Sequence, residues 1–408
     1  MRAGSVGQAF DHKRLGRLHE VLAAHVERGK APGVAALLAR HGEVHVEAIG
    51  HKVAGGSGGP IRRDTIFRIA SMTKPITATA AMILVEECRL RLDDPVDRFL
   101  PELAERRVLR RLDGPLDDAE PARRSITLRD LLTFRMGFGI PVVPPGTYPI
   151  QIAASDLDLG QGMPQPQKPP APDEWIRRFG TLPLMHQPGE KWMYNTGSDV
   201  LGVLIARASG QPFETFLHER LFEPLRMKDT GFWVPAAKLD RFGPSYWTNF
   251  QTGATETYDL AEGGQWSRPP AFPSGGGGLV STVDDYHAFA QMLLNNGRHQ
   301  GERILSRAAV EIMTADQLSP AQKAAGGLGA GFFDNHGWGF GMTVVTRRAS
   351  LAEPVGQYGW SGGLGTSWLS DPAADMIGIL MTQRAWTSPV APDICRDFWT
   401  LAYQALDN

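Results

Sequence analysis

Residues 11–29 carry Leu15, Leu18, Val21, Leu22 and Val26 at helical spacing, with charged side chains between them. The spacing predicts an amphipathic opening helix, stopped by Gly29 and the Pro32-Gly33 break. Two strand-like runs follow in GVAALLARHGEVHVEAIGH, joined at His41-Gly42 as a hairpin. From Ile76 to Val85 nearly every side chain is small or apolar, so the helix predicted there is buried all round rather than along one stripe. Helical patterns return at 197–209 and 212–222. Thr282 then precedes VDDYHAFAQMLLNNG, with Asp285 as the expected capping-box partner and Gly297 as the stop. Strand signals resume in WGFGMTVVT, TSWLSDP and DMIGILMTQR, and PDICRDFWTLAYQAL closes the chain as a helix.

Residues 141–172 hold nine of the thirty prolines, too many to sustain a helix or a central strand. They read as a long surface loop, with a lid over a site as the alternative. Strands and helices at both ends with helices between them imply an α/β (α+β) fold. Its antiparallel sheet is flanked by helices and interrupted by an inserted all-helical lobe. The expected limits are 1–95 and 274–408 for the α/β lobe and 96–273 for the helical lobe.

A chain of 408 residues is long enough for two lobes and a cleft between them. The net charge of -2 comes with no sustained basic tract, which argues against a nucleic-acid groove or a polybasic membrane surface. The expected partner is a small molecule. With only Cys88 and Cys395, and no metal-ligand spacing among the histidines, neither a disulfide framework nor a metal or other cofactor is expected. The first 29 residues lack the continuous apolar core of a signal peptide, so a cytoplasmic, non-membrane protein is expected. Oligomeric state is left open.

One polar pair interrupts the most apolar helix. In FRIASMTKPITATAAMILVEECRL, Ser71 and Lys74 stand one turn apart, close enough for the amine to reach the hydroxyl. Of the nine lysines only this one has Ser three residues before it. A buried amine loses its proton more easily, and a neutral amine can activate the serine as a nucleophile. The helix start would favour a developing oxyanion there. The bland alternative is a capping serine and a lysine that snorkels to water. Tyr194, in MYNTGSDVLG, offers a phenol whose pKa a nearby lysine would lower. QYGWSGGLGTSWLSDP supplies glycines that let backbone approach a ligand.

FRIASMTKP, WMYNTGSDVLG and GWSGGLGTSWLSDP, in this order, resemble the serine β-lactamase and penicillin-binding-protein superfamily, and most closely the family VIII carboxylesterases, which look like class C β-lactamases. LRLDDPVDRFLP, ITLRDLLTFRMGF and SGGGGLVSTVDDYHAFAQML agree, so the resemblance spans about residues 11 to 405. It implies a serine hydrolase that cleaves carboxylic esters through an acyl-enzyme on Ser71, with Lys74 and Tyr194 as proton-transfer partners. The resemblance does not say which of the two takes the first proton. It also implies an oxyanion hole from the backbone N–H groups of Ser71 and Gly363, and substrate contacts from Trp360, Ser361, Gly362 and Thr196.

The chain departs from the β-lactamase pattern where Tyr194-Asn195-Thr196 replaces Tyr-x-Asn and Trp360-Ser361-Gly362 replaces Lys-Thr-Gly. A lysine in that motif helps hold a β-lactam carboxylate, and such a charge-assisted bond is worth about 1.5–3 kcal/mol. Trp360 instead offers apolar surface and one N–H donor, which favours esters. Phe134, Trp175, Trp192, Trp266 and Trp338 lie near the motifs and are read chiefly as core. Alternatives within the fold are a weak β-lactamase, a D-amino-acid peptidase or amidase, an acyltransferase and a non-catalytic binding protein. A different mechanism, the α/β-hydrolase elbow, is raised by GGSGG at Ser57 and GWSGG at Ser361. Neither serine stands between a predicted strand and a predicted helix.

Overall fold

The computed structural model describes residues 9–407. Residues 1–8, part of the stretch read above as lacking a signal-peptide core, lie outside the described residues, as does Asn408. The opening helix α1, His12–Glu27, starts where the Asp11 carboxylate accepts from the Lys13 and Arg14 amides, and it buries Leu15, Leu18 and Leu22. Strands β1 (Gly33–Arg40) and β2 (Glu43–Gly50) pair antiparallel from Gly33↔Gly50 to Arg40↔Glu43. Their two-residue connection needs positive φ at both positions, which His41 (50°) and Gly42 (83°) supply.

The remaining sheet strands come from the far end of the chain: β3 (His336–Trp338), β4 (Thr343–Val345), β5 (Tyr358–Gly362), β6 (Thr366–Asp371) and β7 (Met376–Thr382). The sheet order is β3-β4-β5-β6-β7-β1-β2, with every neighbouring pair antiparallel. β1 reads as a continuous apolar run because both its faces are covered. Val34, Ala36 and Leu38 face α1 and the terminal helix α7 (Asp393–Gln404), while Ala35, Leu37 and Ala39 face the larger core. That second face carries α2 (Thr73–Glu86), buried from Thr73 to Leu84, and α6 (Val283–Leu294). Each buried Leu or Ile side chain here contributes about 1.5–3 kcal/mol relative to exposure.

Three expectations change in detail. The Pro-rich segment does hold a helix, α3 (Pro149–Asp156), and Pro172 opens α4 (Pro172–Thr181). The prolines sit at first-turn positions, where the missing amide costs no bond, and leave the helix interiors free. Segment 96–273 carries the helix α5 (Thr196–Ser209) but is not all helix: Arg107–Leu109 pairs with Ala119–Pro121, and Ser245–Thr248 with Thr255–Asp259. At α6 only half of the capping box forms. Thr282 accepts from the Asp285 amide, but the Asp285 carboxylate accepts from the Asp229 amide and the Thr230 hydroxyl instead. Among the described residues no helix is long and apolar enough to cross a membrane.

Candidate active site

Ser71 lies in a 3₁₀ turn, Ala70–Met72, that leads directly into α2. The backbone before it is anchored by Arg68, whose buried guanidinium donates to Asp259 and to the Gly243 carbonyl and stacks over Phe242. Ala70 holds a positive φ of 43°, a strained conformation for a non-glycine residue, next to the serine. One turn on, Lys74 is 1% exposed and its amine donates to Ser71 Oγ at 3.0 Å. It also donates to the Gly276 carbonyl and lies 4.6 Å from the centre of the Tyr194 ring. Burial pulls the Lys74 pKa down to about 7, with the charge of Asp199 acting the other way.

Tyr194 arrives from the opposite side, in the turn before α5. The turn is tight: Asn195 has φ 82° and ψ -66°, a strained combination at a helix start. Tyr194 Oη accepts a hydrogen bond from Trp360 Nε1 at 2.9 Å. Its ring packs against Phe134 and Trp192. Burial pushes the phenol up to about 12, against which hydrogen bonding with Ser71 and Trp360 lowers it. The expectation that Lys74 draws Tyr194 toward phenolate is therefore corrected. The amine meets the ring face, and desolvation keeps the phenol protonated at neutral pH.

The edge of the sheet completes the group. Strand β5 can reach the Ser71 turn only because Gly362 is bare: a Cβ there would meet the Ile69 carbonyl oxygen at 2.2 Å and Thr366 Oγ1 at 2.3 Å. Thr366 Oγ1 donates to that same carbonyl, tying β6 to the turn. A Cβ at Gly363 would meet nothing within 4 Å, so this residue faces open space beside Ser71.

A cavity of about 1210 Å³ opens over these residues, bordered by Ser71, Tyr194, Asn195, Trp360, Ser361 and Gly363. Leu159, Met163 and Pro164, from the Pro-rich segment, form another part of its wall. That segment is pinned across the chain by Tyr258, whose hydroxyl donates to the Pro164 carbonyl, and by Gln167, which pairs with Gln265.

The structure thus brings Ser71, Lys74, Tyr194, Trp360 and Gly363 together. Ser361 borders the cavity, but its hydroxyl donates to Ser367 Oγ, on the sheet face that packs against Trp399 of α7. Its Gly-x-Ser-x-Gly run passes from β5 into the hairpin with β6, and Ser57 lies in an exposed turn, so neither serine forms a strand-to-helix elbow. Thr196 and Gly362 correct the expected substrate contacts, because both are buried behind the wall. Thr196, the first residue of α5, is fully buried and its hydroxyl accepts from Gln161, while Asn195 takes the cavity position. The Trp360 N–H is spent on Tyr194 and leaves only the indole face for a ligand. Of the five neighbouring aromatics only Trp175 borders the cavity; Phe134, Trp192 and Trp338 form a cluster behind Tyr194. Sequence reasoning passed over Asp199, although a carboxylate opening an otherwise apolar helix is as anomalous as Lys74.

The described fold agrees with comparison to known proteins. Residues 18–394 match the family described as Beta-lactamase. The chain belongs to the Beta-lactamase family. Protein Rv1367c of Mycobacterium tuberculosis, strain H37Rv, is 42% identical over 332 residues, which cover 80% of this chain and 79% of that one. Esterase EstB of Burkholderia gladioli is 30% identical over 400 residues, 92% of each chain. Among solved structures of the Beta-lactamase fold, EstCE1, described as a hydrolase with promiscuous acyltransferase activity, superposes with a TM-score of 0.77 at 25% identity, covering 96% of this chain and 99% of that one.

Proposed function

We propose that this protein is a serine carboxylesterase that forms an acyl-enzyme on Ser71. The observation that carries the reading is the buried Lys74 amine, 3.0 Å from Ser71 Oγ and titrating near 7, at the base of a cavity wide enough for an ester. Neutral Lys74 takes the hydroxyl proton as Oγ bonds to the ester carbonyl carbon. The carbonyl electron pair moves onto oxygen, where the amides of Ser71 and Gly363 receive it. One such donor is worth about 2.7–4 kcal/mol in other hydrolases. As the tetrahedral centre collapses, Tyr194 protonates the departing alkoxide and regains a proton from the Lys74 ammonium. Water repeats the sequence on the acyl-enzyme and releases the acid. A protonated resting phenol suits this acid role, which assigns the first base to Lys74.

The apolar Trp360 face beside the nucleophile suits a neutral acyl group and offers no charge to a β-lactam carboxylate. The width of the cavity also favours a second reading, transfer of the acyl group to an alcohol, because donor and acceptor can occupy it together. EstCE1, with its promiscuous acyltransferase activity, is consistent with that. Turnover of nitrophenyl acyl esters by two serine variants tests the assignment: Ser71→Ala is expected to abolish it and Ser361→Ala to keep it. The reverse outcome would replace Ser71 by Ser361 as nucleophile.

A further inference from the structure

Lys74 is held by more than the serine it serves. Its amine donates to the Gly276 carbonyl, so the placement of one peptide group decides where the amine points. That peptide lies in Ser274-Gly275-Gly276-Gly277-Gly278, a run whose backbone presses against α2 and α5. A Cβ at Gly275 would meet the Ser198 carbonyl oxygen at 2.3 Å, while the Thr77 hydroxyl donates to the Gly275 carbonyl at 2.9 Å. At Gly276 a Cβ would come within 3.1 Å of Asp199 Oδ1. The Asp199 carboxylate, 5% exposed, therefore lies directly against the bare Gly276 backbone. Asp199 Oδ1 accepts from the Gly276 amide at 3.0 Å and from Ser274 Oγ at 2.6 Å.

We infer that Asp199 is a positioning residue for the acylation step: it holds the Gly276 amide directly and, through Ser274 Oγ, the Gly277 amide of the peptide group whose Gly276 carbonyl holds the Lys74 amine against Ser71. The inference rests on the reading of Ser71 as the acylated nucleophile and adds a second duty for the same carboxylate. Asp199 lies in the first turn of α5, where the helix dipole favours an anion. Burial raises the Asp199 pKa, against the Ser274 bond, the Lys74 charge and the Gly276 amide, which lower it; ionised, the carboxylate faces the amine and favours its protonated form, so it sets the pH at which Lys74 becomes a base. Of the other titratable groups around α2, Tyr194 presents its ring face to the amine, and Tyr286 of α6 turns its hydroxyl to the Met72 carbonyl.

The two duties separate experimentally. Asp199→Asn keeps an oxygen for Ser274 and the Gly276 amide but removes the charge, whereas Asp199→Ala removes both. For the Asn variant the acid limb of the kcat/KM profile is expected to move to lower pH by about one to three units, the size of an opposite-charge effect at close range. For the Ala variant kcat is expected to fall by about tenfold to a hundredfold, with KM within about twofold and the loss partly restored in Asn. Thermal melting of both variants checks that they are folded. Labelling of wild-type Ser71 by a fluorophosphonate is read in parallel. Absence of that label defeats the nucleophile assignment itself. With the label present, an Asn variant whose acid limb overlays the wild type, or an Ala variant whose loss only tracks its unfolded fraction, overturns the role of Asp199.

Discussion

Lys74 makes the clearest demand at the level of single residues. Its amine titrates near 7 in the folded protein and near 10.5 as a free lysine, so between those values the unfolded chain binds a proton that the folded chain does not. Stability contributed at this position therefore falls as pH drops from about 10.5 to about 7 and does not recover below that. Lys74→Met is expected to raise the melting temperature more at pH 7 than at pH 10, while kcat falls by about a hundredfold or more. Equal effects on melting at both pH values would show that the wild-type amine stays charged. The same titration predicts that wild-type kcat/KM climbs with pH through about 7, since only the neutral amine can accept the Ser71 proton. A flat profile from acid to mildly alkaline pH would contradict it. Trp360→Phe keeps an apolar face but removes the donor to Tyr194 Oη. It is expected to lower kcat by about tenfold, the scale of one lost bond to a buried oxygen, with little change in melting. An unchanged kcat would mean that the indole N–H does not hold the phenol.

Two adjacent glycines at the end of β5 are expected to behave in opposite ways at the scale of elements. Gly362→Ala drives a methyl into the Ile69 carbonyl and Thr366, which forces β5 away from the Ser71 turn. Melting temperature and activity should fall together, because one displacement causes both. Gly363→Ala meets open space, so its melting is expected to match wild type and any effect to be confined to turnover. Thermal melting of the pair decides this, and equal destabilisation would contradict the placement of β5. The elements themselves were largely legible in the sequence. Hydrophobic period and turn residues suffice for α1, the β1–β2 hairpin and the C-terminal strands, because local chemistry and burial agree there. Roles of buried polar groups were harder to read. Gly362 and Thr196 look like ligand contacts in a motif, but which way each faces depends on Ile69 and Gln161, far away in sequence. The role of Asp199 was hidden for the same reason, although its place at the start of an apolar helix was visible, since its partners Ser274 and Gly276 arrive 75 and more residues later. The phenolate expectation failed because burial depth, which sets the Tyr194 pKa, is not a property of neighbouring residues.

For the whole molecule, the Pro-rich segment is wall rather than decoration. It spans from α3 to α4, and one hydroxyl, that of Tyr258, ties its Pro164 carbonyl to the ribbon Thr255–Asp259. Tyr258→Phe is expected to raise KM for long acyl esters by several-fold and leave that for acetyl esters near wild type, on the reading that Leu159 and Met163, both in the cavity wall, contact the far part of the acyl chain. Steady-state kinetics across a series of chain lengths measures it, and a uniform change at every length would contradict a role in the acyl wall. The lobes, the sheet edge and this segment all direct one hydroxyl, that of Ser71, into the cavity beside an amine that can lose its proton. Peptide mass mapping after brief exposure to a nitrophenyl ester tests that convergence most directly. An acyl adduct on the peptide that contains Ser71, absent when Lys74 is Met, is the predicted result. An adduct on the peptide containing Ser361, or full turnover with no adduct at Ser71 under rapid quench, would contradict it.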